Sequence, residues 1–264
     1  MAGLTIDSSG NLYGTTNSGG SGQFGFGGTV FELSPPSQPG GTWSETILYS
    51  FGASREDASG PQASVIFDAQ GNPYGTTIAV GELGPGAVFQ LMPPSEPGGA
   101  WTENILHAFG SVPRDGATPQ SALTLAPSGV LLGTTEEGGV NYGVVFALAP
   151  PSGPGGSWQY GLPYTFTGRL DGGNPQSRLT LLPGKNPIIY GTTRRGGAFD
   201  EGTVYQLVPP LPGGSWTEAP VYSFSGGNDG GHPESGVVVY SYALFGTTTE
   251  GGSHGFGTAF RLSR

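Results

Sequence analysis

Gly14-Thr15-Thr16 is the first of five copies of the tripeptide Gly-Thr-Thr, and the others begin at Gly75, Gly133, Gly191 and Gly246. Successive copies are separated by 61, 58, 58 and 55 residues, and each lies inside a longer shared pattern. A regular period of this length indicates an array of supersecondary units that stack on one another. The chain is therefore five versions of one unit. Positions that all copies share are structural, and positions where one copy departs are candidates for function.

Each unit contains four short segments with the composition of β-strands. In the second copy they are Pro61–Asp68, Pro73–Thr77, Ala87–Leu91 and Trp101–Phe109, and a turn at Pro93–Gly99 separates the last two. β-Branched and aromatic residues between Gly and Pro clusters are the signature of strands, and no segment of the chain has a helical pattern. Four antiparallel strands per repeat are typical of a β-propeller blade. A β-solenoid is the main alternative, but its repeats are usually much shorter.

We therefore predict an all-β, five-bladed β-propeller in one domain, with blades at residues 1–52, 53–110, 111–167, 168–225 and 226–264. The fourth strand begins at Trp43, Trp101, Trp158 and Trp216 and has no fifth copy, so the last blade is expected to lack its outer strand. An open edge strand is a site for pairing with another chain. A homodimer through the last blade is therefore expected.

The composition argues against several functional classes. The 264 residues include 51 Gly, 24 Pro and no Cys, and the net charge is −10 with a single lysine, Lys185. Binding to nucleic acid is not expected, because the only basic cluster is Arg194-Arg195 and phosphate backbones need many cationic contacts. No apolar run is long enough to span a membrane, and the lack of Cys excludes disulfides, thiolate nucleophiles and Cys-ligated zinc.

The low charge and the abundance of Gly, Ser, Thr and Asn are typical of exported bacterial proteins. The chain also begins in the middle of a repeat, since Met1-Ala2 leads directly into Gly3–Asp7. We therefore expect an extracellular or cell-surface protein, of which this chain is a piece, with the export signal elsewhere.

The repeat resembles the bacterial GloVer tandem repeat, whose core reads Leu-Tyr-Gly-Thr-Thr, then Gly-Gly, then Gly-Thr-Val-Phe-x-Leu. Leu12-Tyr13-Gly14-Thr15-Thr16, Gly19-Gly20 and Gly28-Thr29-Val30-Phe31-Glu32-Leu33 match it closely, and residues 190–193, 196–197 and 202–207 do so too. The resemblance covers the whole chain. It implies an extracellular or surface-anchored protein and carries no general activity.

Two families of loops are expected to share one face of the propeller, where closed β-architectures bind ligands. The first family begins with Asp and ends with Pro-Gln or Pro-Glu. A turn explains this pattern, because Asp bonds its own backbone and Pro fixes the entry into the next strand. Alternatively, a ring of carboxylates and amides would suit a hard cation or sugar hydroxyls. The candidate ligand-binding residues of this family are Asp57, Gln62, Asp115, Gln120, Asp171, Gln176 and Asp229.

The fifth copy departs from this pattern. His232 replaces a Gly, Thr or Asn of the other copies, Glu234 replaces a Gln, and His254 lies in the second loop of the same blade. These three residues, with Asp229 or Glu250, would form a site for a divalent metal ion or a catalytic acid–base pair. The alternative is a set of drifted surface residues, because a His-x-Glu spacing alone is a weak signal.

The second loop family contains Glu136-Glu137 in one copy and Arg194-Arg195 in the next. These charges either pair across the rim, which stabilises little when exposed, or Arg194 and Arg195 bind an anionic ligand group. Phe24 and Phe26 in the first loop would stack on a sugar ring or serve as minor packing caps.

The Thr-Thr pairs of the repeat are predicted to be structural, because their hydroxyls can bond neighbouring strands. His107 lies in an outer strand and is predicted to be structural as well. The sequence lacks a nucleophilic-serine elbow, a phosphate-binding loop and a dinucleotide-binding fingerprint.

Three functional hypotheses follow. The first is an exported binding protein that recognises a glycan or another small polar ligand on its loop face, since repeated grooves give multivalency. The second is a hydrolase that uses His232, Glu234 and His254, with a divalent metal to activate water or with Glu234 and a loop Asp as a glycosidase pair. The third is a structural or adhesion array.

Overall fold

The computed structural model describes residues 3–81, 84–96, 98–153, 155–182, 184, 187–210 and 214–263. Pro97 in the predicted turn, Lys185 and both chain ends lie outside these residues. Within them the chain is all-β, with antiparallel pairing between the strands of every sheet and a single 3-10 turn at Gly227–Asp229. The prediction of an all-β chain without α-helices is confirmed for this part of the chain.

Each repeat forms its own sheet. Sheet 1 consists of β1 (Thr5–Ile6), β2 (Leu12–Thr16), β3 (Thr29–Ser34) and β4 (Ser44–Ser50). Sheet 2 consists of β5 (Ala58–Pro61), β6 (Ile66–Phe67), β7 (Pro73–Val80), β8 (Ala87–Met92) and β9 (Thr102–Ala108).

The remaining strands follow the same order. A short ladder pairs β10 (Gly116–Ala117) with β13 (Glu137–Gly138), and sheet 3 consists of β11 (Thr124–Leu125), β12 (Leu131–Thr135), β14 (Val144–Ala149) and β15 (Gln159–Thr165). Sheet 4 consists of β16 (Thr180–Leu182), β17 (Ile188–Thr193), β18 (Thr203–Val208) and β19 (Thr217–Ser223). Sheet 5 has three strands in the described residues: β20 (Val238–Tyr240), β21 (Ala243–Thr247) and β22 (Ala259–Ser263).

The first strand of the second repeat differs from its prediction. Instead of one strand over Pro61–Asp68, two short strands, β5 and β6, both pair with β7. Between them the carbonyls of Ala63 and Val65 accept hydrogen bonds from threonine hydroxyls of sheet 1. The interruption therefore lies where the chain bonds to the neighbouring sheet instead of to its own.

The glycine of each Gly-Thr-Thr copy lies directly opposite an aromatic residue of the third strand. Gly14 pairs with Phe31, Gly75 with Phe89, and the later copies follow the same register. A Cβ atom at Gly14 or Gly75 would overlap the ring of its partner. The glycine is therefore repeated because the aromatic ring folds over the backbone at that position.

The first threonine of Gly-Thr-Thr bonds to the start of the following repeat, which agrees with its predicted structural role. Its hydroxyl donates a hydrogen bond of 3.0 or 3.1 Å to a backbone carbonyl at the start of the following repeat. The pairs are Thr15 with Ala63, Thr76 with Ser121, Thr134 with Ser177 and Thr192 with Ser235.

The chain divides into two compact units, one of residues 1–111 and 118–123 and the other of residues 112–117 and 124–264. In the first unit the cores of sheets 1 and 2 merge, and Phe51 meets Phe89 edge to face at 5.0 Å.

In the second unit the cores of sheets 3, 4 and 5 pack in the same way. Phe166 meets Tyr205 between sheets 3 and 4, and Phe224 meets Phe260 between sheets 4 and 5, each edge to face at 5.1 Å. Such edge-to-face pairs add about 1 kcal/mol beyond area burial.

Candidate functional site

The two loop families come together, as the sequence predicts. In every repeat after the first, the residue before the Pro of the Asp-to-Pro turn donates its backbone N–H to a carbonyl of the preceding repeat's loop, at 2.7 or 2.8 Å. This residue is Gly60, Thr118, Asn174 or His232, and all four have a positive φ of 52–71°. We call the joined loops the rim, which comprises the turns 53–62, 111–120, 167–176 and 225–234 and the described parts of the loops 17–28, 78–86, 136–143, 194–202 and 249–257.

His232 occupies the structural position that Asn174 occupies one repeat earlier. The Nδ2 of Asn174 donates to the carbonyl of Glu136 at 3.1 Å, and the Nδ1 of His232 lies 2.9 Å from the carbonyl of Arg194. Since a carbonyl can only accept, Nδ1 carries the hydrogen. The Nε2 of His232 faces carboxylate oxygens of Glu201 at 3.4 Å and Glu250 at 3.9 Å.

The other two residues of the predicted metal or acid–base cluster have different partners. Glu234 pairs with the Nε of Arg194 at 3.0 Å, and the Nδ1 of His254 lies 2.9 Å from the hydroxyl of the adjacent Ser253. Glu234 is not among the carboxylates within 4.0 Å of His232. Within the described residues no group of three or more His, Asp or Glu side chains is placed to hold a metal ion. The geometry therefore gives no support to a metal site at these three positions.

In the second loop family, for which the sequence left pairing across the rim and anion binding as alternatives, Arg194 and Glu136 each have a partner in the turn that follows. Arg194 pairs with Glu234 of the following turn, and Glu136 accepts a hydrogen bond of 2.7 Å from the Nε2 of Gln176. Arg194 and Glu136 therefore each contact the Glu or Gln that follows the Pro of the next turn. Backbone hydrogen bonds already join the two loop families at that point. Arg195 is exposed.

The aspartates of the rim turns are held inside those turns. Asp57 accepts hydrogen bonds from the hydroxyl of Tyr49 at 3.0 Å and the N–H of Ala53 at 2.7 Å. Asp171 and Asp229 accept equivalent bonds from a tyrosine hydroxyl and a backbone N–H of their own turns. Asp115 accepts from the N–H of Gly116 at 2.8 Å. This geometry supports the interpretation of these residues as turn formers.

A side chain of the fourth strand lies against three of these aspartates, and we name the surroundings of each of the four aspartates a junction. At the first junction Glu103 lies against Asp57 and Tyr49, and its Oε1 is buried without a donor. Burial, together with the hydrogen bond and the charge of Asp57, raises the pKa of Glu103 well above its usual value. Because two close carboxylates cannot both ionise without cost, Glu103 keeps its proton to a higher pH than an exposed glutamic acid does.

The other three aspartates have contacts that differ from those of Asp57. At the second junction Tyr160 takes the place of Glu103, and its buried hydroxyl faces Asp115. At the third, burial and the charge of Asp171 raise the pKa of Glu218 to about 7, while a hydrogen bond with Tyr164 opposes the shift. At the last, Asp229 bonds Tyr222 and Ser225, and the described part of sheet 5 has no fourth strand to supply an acid.

Aromatic side chains project from the rim loops into solvent. Phe26 is 58% exposed, Tyr142 42%, Phe199 61% and Phe256 91%, one in each described loop of sheets 1, 3, 4 and 5. Phe24 is half-buried, with the guanidinium of Arg55 5.3 Å above its ring.

Analysis of the sequence missed several of these groups. Glu103 and Glu218 each stand two residues after a repeated tryptophan, so an alignment of the Trp-x-Glu pattern would have identified them. The exposed aromatics lie at different offsets in loops of different length, and no sequence pattern marks them. His107 is buried in β9 with its ring 5.1 Å from that of Phe109, in agreement with a structural role.

A family model described as the Gloeobacter/Verrucomicrobia repeat matches residues 1–185 and 104–264. No curated protein matches the sequence. In the residues that the structure describes, no helix is long and apolar enough to span a membrane.

Three solved structures are similar to this chain. An endo-arabinase from Bacteroides thetaiotaomicron VPI-5482 is 13% identical with a TM-score of 0.51, over 99% of this chain and 92% of that one. A protein of unknown function from Dyadobacter fermentans DSM 18053 is 12% identical with a TM-score of 0.55, over 98% and 77%. A Trypanosoma rangeli sialidase in complex with sialic acid is 11% identical with a TM-score of 0.47, over 98% and 45%.

Proposed function

This chain belongs to the Gloeobacter/Verrucomicrobia repeat family, as its sequence predicts, and we propose that it is an exported, non-catalytic protein whose rim binds a glycan. In this proposal the five sheets are the blades of a five-bladed β-propeller, and the last blade has three strands. The stacking of consecutive sheets inside each unit supports this architecture, because blades bury their faces only against one another.

The observation that carries the proposal is the set of exposed rings on the rim loops. Sugar rings combine apolar C–H faces with hydroxyl groups, so they bind where an exposed aromatic ring lies beside polar side chains. In the second unit Tyr142, Phe199 and Phe256 belong to the rim loops of three consecutive sheets, and those loops also carry Glu136, Arg194 and Glu250. Exposed apolar groups rimmed by polar ones mark interaction sites.

The polar groups of this rim are the ligand-binding residues that we propose. Gln176, Arg194 and Glu234 have exposed or half-exposed side chains, and Gln62 and Gln120 occupy the corresponding positions of earlier turns. Arg195 offers a further exposed donor group. Asp57, Asp115, Asp171 and Asp229 position these groups through the turns and do not contact the ligand. Because the sites are repeated, weak binding at each adds up to useful avidity.

The similarity to a structure named as an endo-arabinase is compatible with a carbohydrate ligand. The hydrolase alternative has less support, because Glu234 is neutralised by Arg194 and His232 is tied to a backbone carbonyl. It predicts a single active site, whereas the repeated aromatics predict several similar binding sites.

The test is binding to an array of polysaccharides by the parent and by a triple variant, Tyr142→Ala, Phe199→Ala and Phe256→Ala. Leu170→Ala is the matched control, because Leu170 is also an exposed apolar residue of a rim turn in the same unit, 68% exposed. We expect the triple variant to lose at least about tenfold in affinity, equivalent to about 1.4 kcal/mol, and the control to bind like the parent. Equal binding by parent and triple variant, or no binding to any glycan, would contradict the proposal.

We also propose that two copies pair through the edge of sheet 5. The outermost described strand of this sheet is β22, whose backbone groups on one side have no strand partner in the described residues. Sedimentation at increasing concentration tests this, and a constant monomer mass up to high concentration would count against it.

A further inference from the structure

We propose that Arg178 forms a second binding site, separate from the rim, which takes a carboxylate-bearing sugar in a cavity lined by the innermost strands of sheets 3, 4 and 5. The inference is independent of the glycan proposal, because none of its residues belongs to the rim. It begins from a departure within the repeat. The position before the first strand is occupied by Gly3, Ser64, Ala122 and Gly236 in four copies and by Arg178 in the fourth repeat.

The cavity has the size of a ligand site. Its volume is about 590 Å³, and ligand pockets typically enclose about 300–1,000 Å³. All its lining residues belong to the second compact unit. Arg178 is the only charged residue among them, and the walls include the apolar side chains of Leu125, Leu181 and Val238.

The guanidinium of Arg178 is free to bind a ligand. Its only bond within the described chain is from Nε to the hydroxyl of Thr124, at 3.5 Å, and no described carboxylate lies within ion-pairing distance of it. An arginine has five N–H donors in a planar fork. The two terminal nitrogens therefore keep their donors for a ligand in a protein that has 19 acidic residues and 9 basic ones.

Arg178 is the main polar group of the cavity, because the threonine hydroxyls there already donate hydrogen bonds to the backbone. The hydroxyl of Thr124 donates to the carbonyl of Leu179 at 2.6 Å, and that of Thr180 donates to the carbonyl of Val237. These bonds fix the three inner strands against one another. The floor beneath the arginine is therefore rigid, and its hydroxyls are already occupied as donors.

A carboxylate fits this arrangement better than a phosphate does. One guanidinium binds one carboxylate through two parallel N–H···O bonds and balances its single charge. A phosphate carries more negative charge, and the cavity lining offers no second cation. The apolar walls would cover the C–H face of a sugar ring, so the occupant that matches both features is a uronic acid residue.

The experiment compares glucuronate with glucose, which differ in the carboxylate at C6, by ligand-observed NMR and by the ¹⁵N shift of the Arg178 Nε–H resonance. We expect glucuronate to bind and to move that resonance, and glucose to bind at least about tenfold more weakly. Arg178→Gln should abolish the preference for glucuronate, and Arg178→Lys should retain part of it because a lysine keeps the charge without the planar fork. Arg261→Gln, which removes an exposed arginine of β22, is the control and should bind like the parent.

Three results would overturn the inference. They are equal binding of glucuronate and glucose, unchanged glucuronate binding by Arg178→Gln, and Arg178-dependent binding of inorganic phosphate without binding of glucuronate. A loss of polysaccharide binding on mutation of the rim aromatics leaves the glucuronate result unaffected, so the two proposals fail separately.

Discussion

At the first junction the loop aspartate meets a glutamic acid, whereas at the second it meets a tyrosine. Both Glu103 and Tyr160 come from the same position of the fourth strand, and both contact an aspartate that shapes a rim turn. A tyrosine hydroxyl donates its hydrogen bond at any pH near neutrality, but a glutamic acid donates only while it is protonated. The same place in the repeat thus gives a permanent contact in one copy and a proton-dependent contact in the other.

The largest expected effect is the difference in stability between variants that lack Asp115 and variants that lack Asp57. Asp115→Ala leaves the N–H of Gly116 without its acceptor and removes the carboxylate that the buried hydroxyl of Tyr160 faces, and we expect it to lower the free energy of unfolding by about 3 kcal/mol at pH 8. Asp57→Ala removes the carboxylate that opposes ionisation of Glu103, so its cost at pH 8 should be about half as large. Urea denaturation of both variants measures this. Equal losses would mean that the carboxyl pair of the first junction is no less favourable than the tyrosine contact.

The next effect is a pH dependence of the first junction. The folded-state pKa of Glu103 is raised above the usual 4.5. Its contribution to stability is therefore fully present below about pH 4.5 and is lost as the pH rises through the folded-state pKa, with a slope of at most about 1.4 kcal/mol per pH unit. Glu103→Gln keeps a neutral donor beside Asp57, so we expect it to stabilise the protein by about 1–2 kcal/mol at pH 8 and to change little at pH 4.5.

Glu218→Gln provides the matched control for this prediction. Because the pKa of Glu218 is raised only to about 7, its loss of stability is confined between about pH 4.5 and pH 7. The curve of melting temperature against pH should therefore become flatter only below pH 7 in Glu218→Gln, whereas in Glu103→Gln it should become flatter both below and above pH 7. Identical curves for the parent and Glu103→Gln would show that no proton is held at the first junction.

The smallest effect is expected at the last junction. Tyr222→Phe removes one hydrogen bond of 2.8 Å to Asp229, whose turn is also held by Ser225. We expect a loss of about 0.5–1 kcal/mol, measured by urea denaturation. The loss should be the same at pH 5 and pH 8, because no fourth-strand acid faces Asp229 in the described structure. A loss that grows with pH would reveal an acid partner there.

Much of the fold could be predicted from the sequence, because the same strand pattern occurs in five copies. Strands three and four of the second repeat lie within one residue of their predicted bounds, as in β8 and β9, and the described part of the last sheet has the three strands that its missing tryptophan implies. The first strand was predicted less well. Its carbonyls bond a neighbouring sheet, and a composition pattern within one repeat contains no information about that partner.

The site was predicted less completely than the fold. The two loop families do meet, but His232, Glu234 and His254 have separate partners, because Glu234 pairs with Arg194 of the preceding repeat and His254 bonds the adjacent Ser253. Glu103 was overlooked since an acid in an outer strand suggests an exposed side chain. Its burial depends on a loop 46 residues earlier in the chain.

The threonine ties between consecutive repeats also bear on how such a chain evolves. In each tie the donor is a side chain, but the acceptor is a main-chain carbonyl. Every repeat supplies that acceptor whatever its side chains are, as Ala63 and Ser121 illustrate. Duplication, deletion or shuffling of whole repeats therefore preserves these bonds without compensating substitutions, and the loops can diverge while the bonds between repeats stay constant.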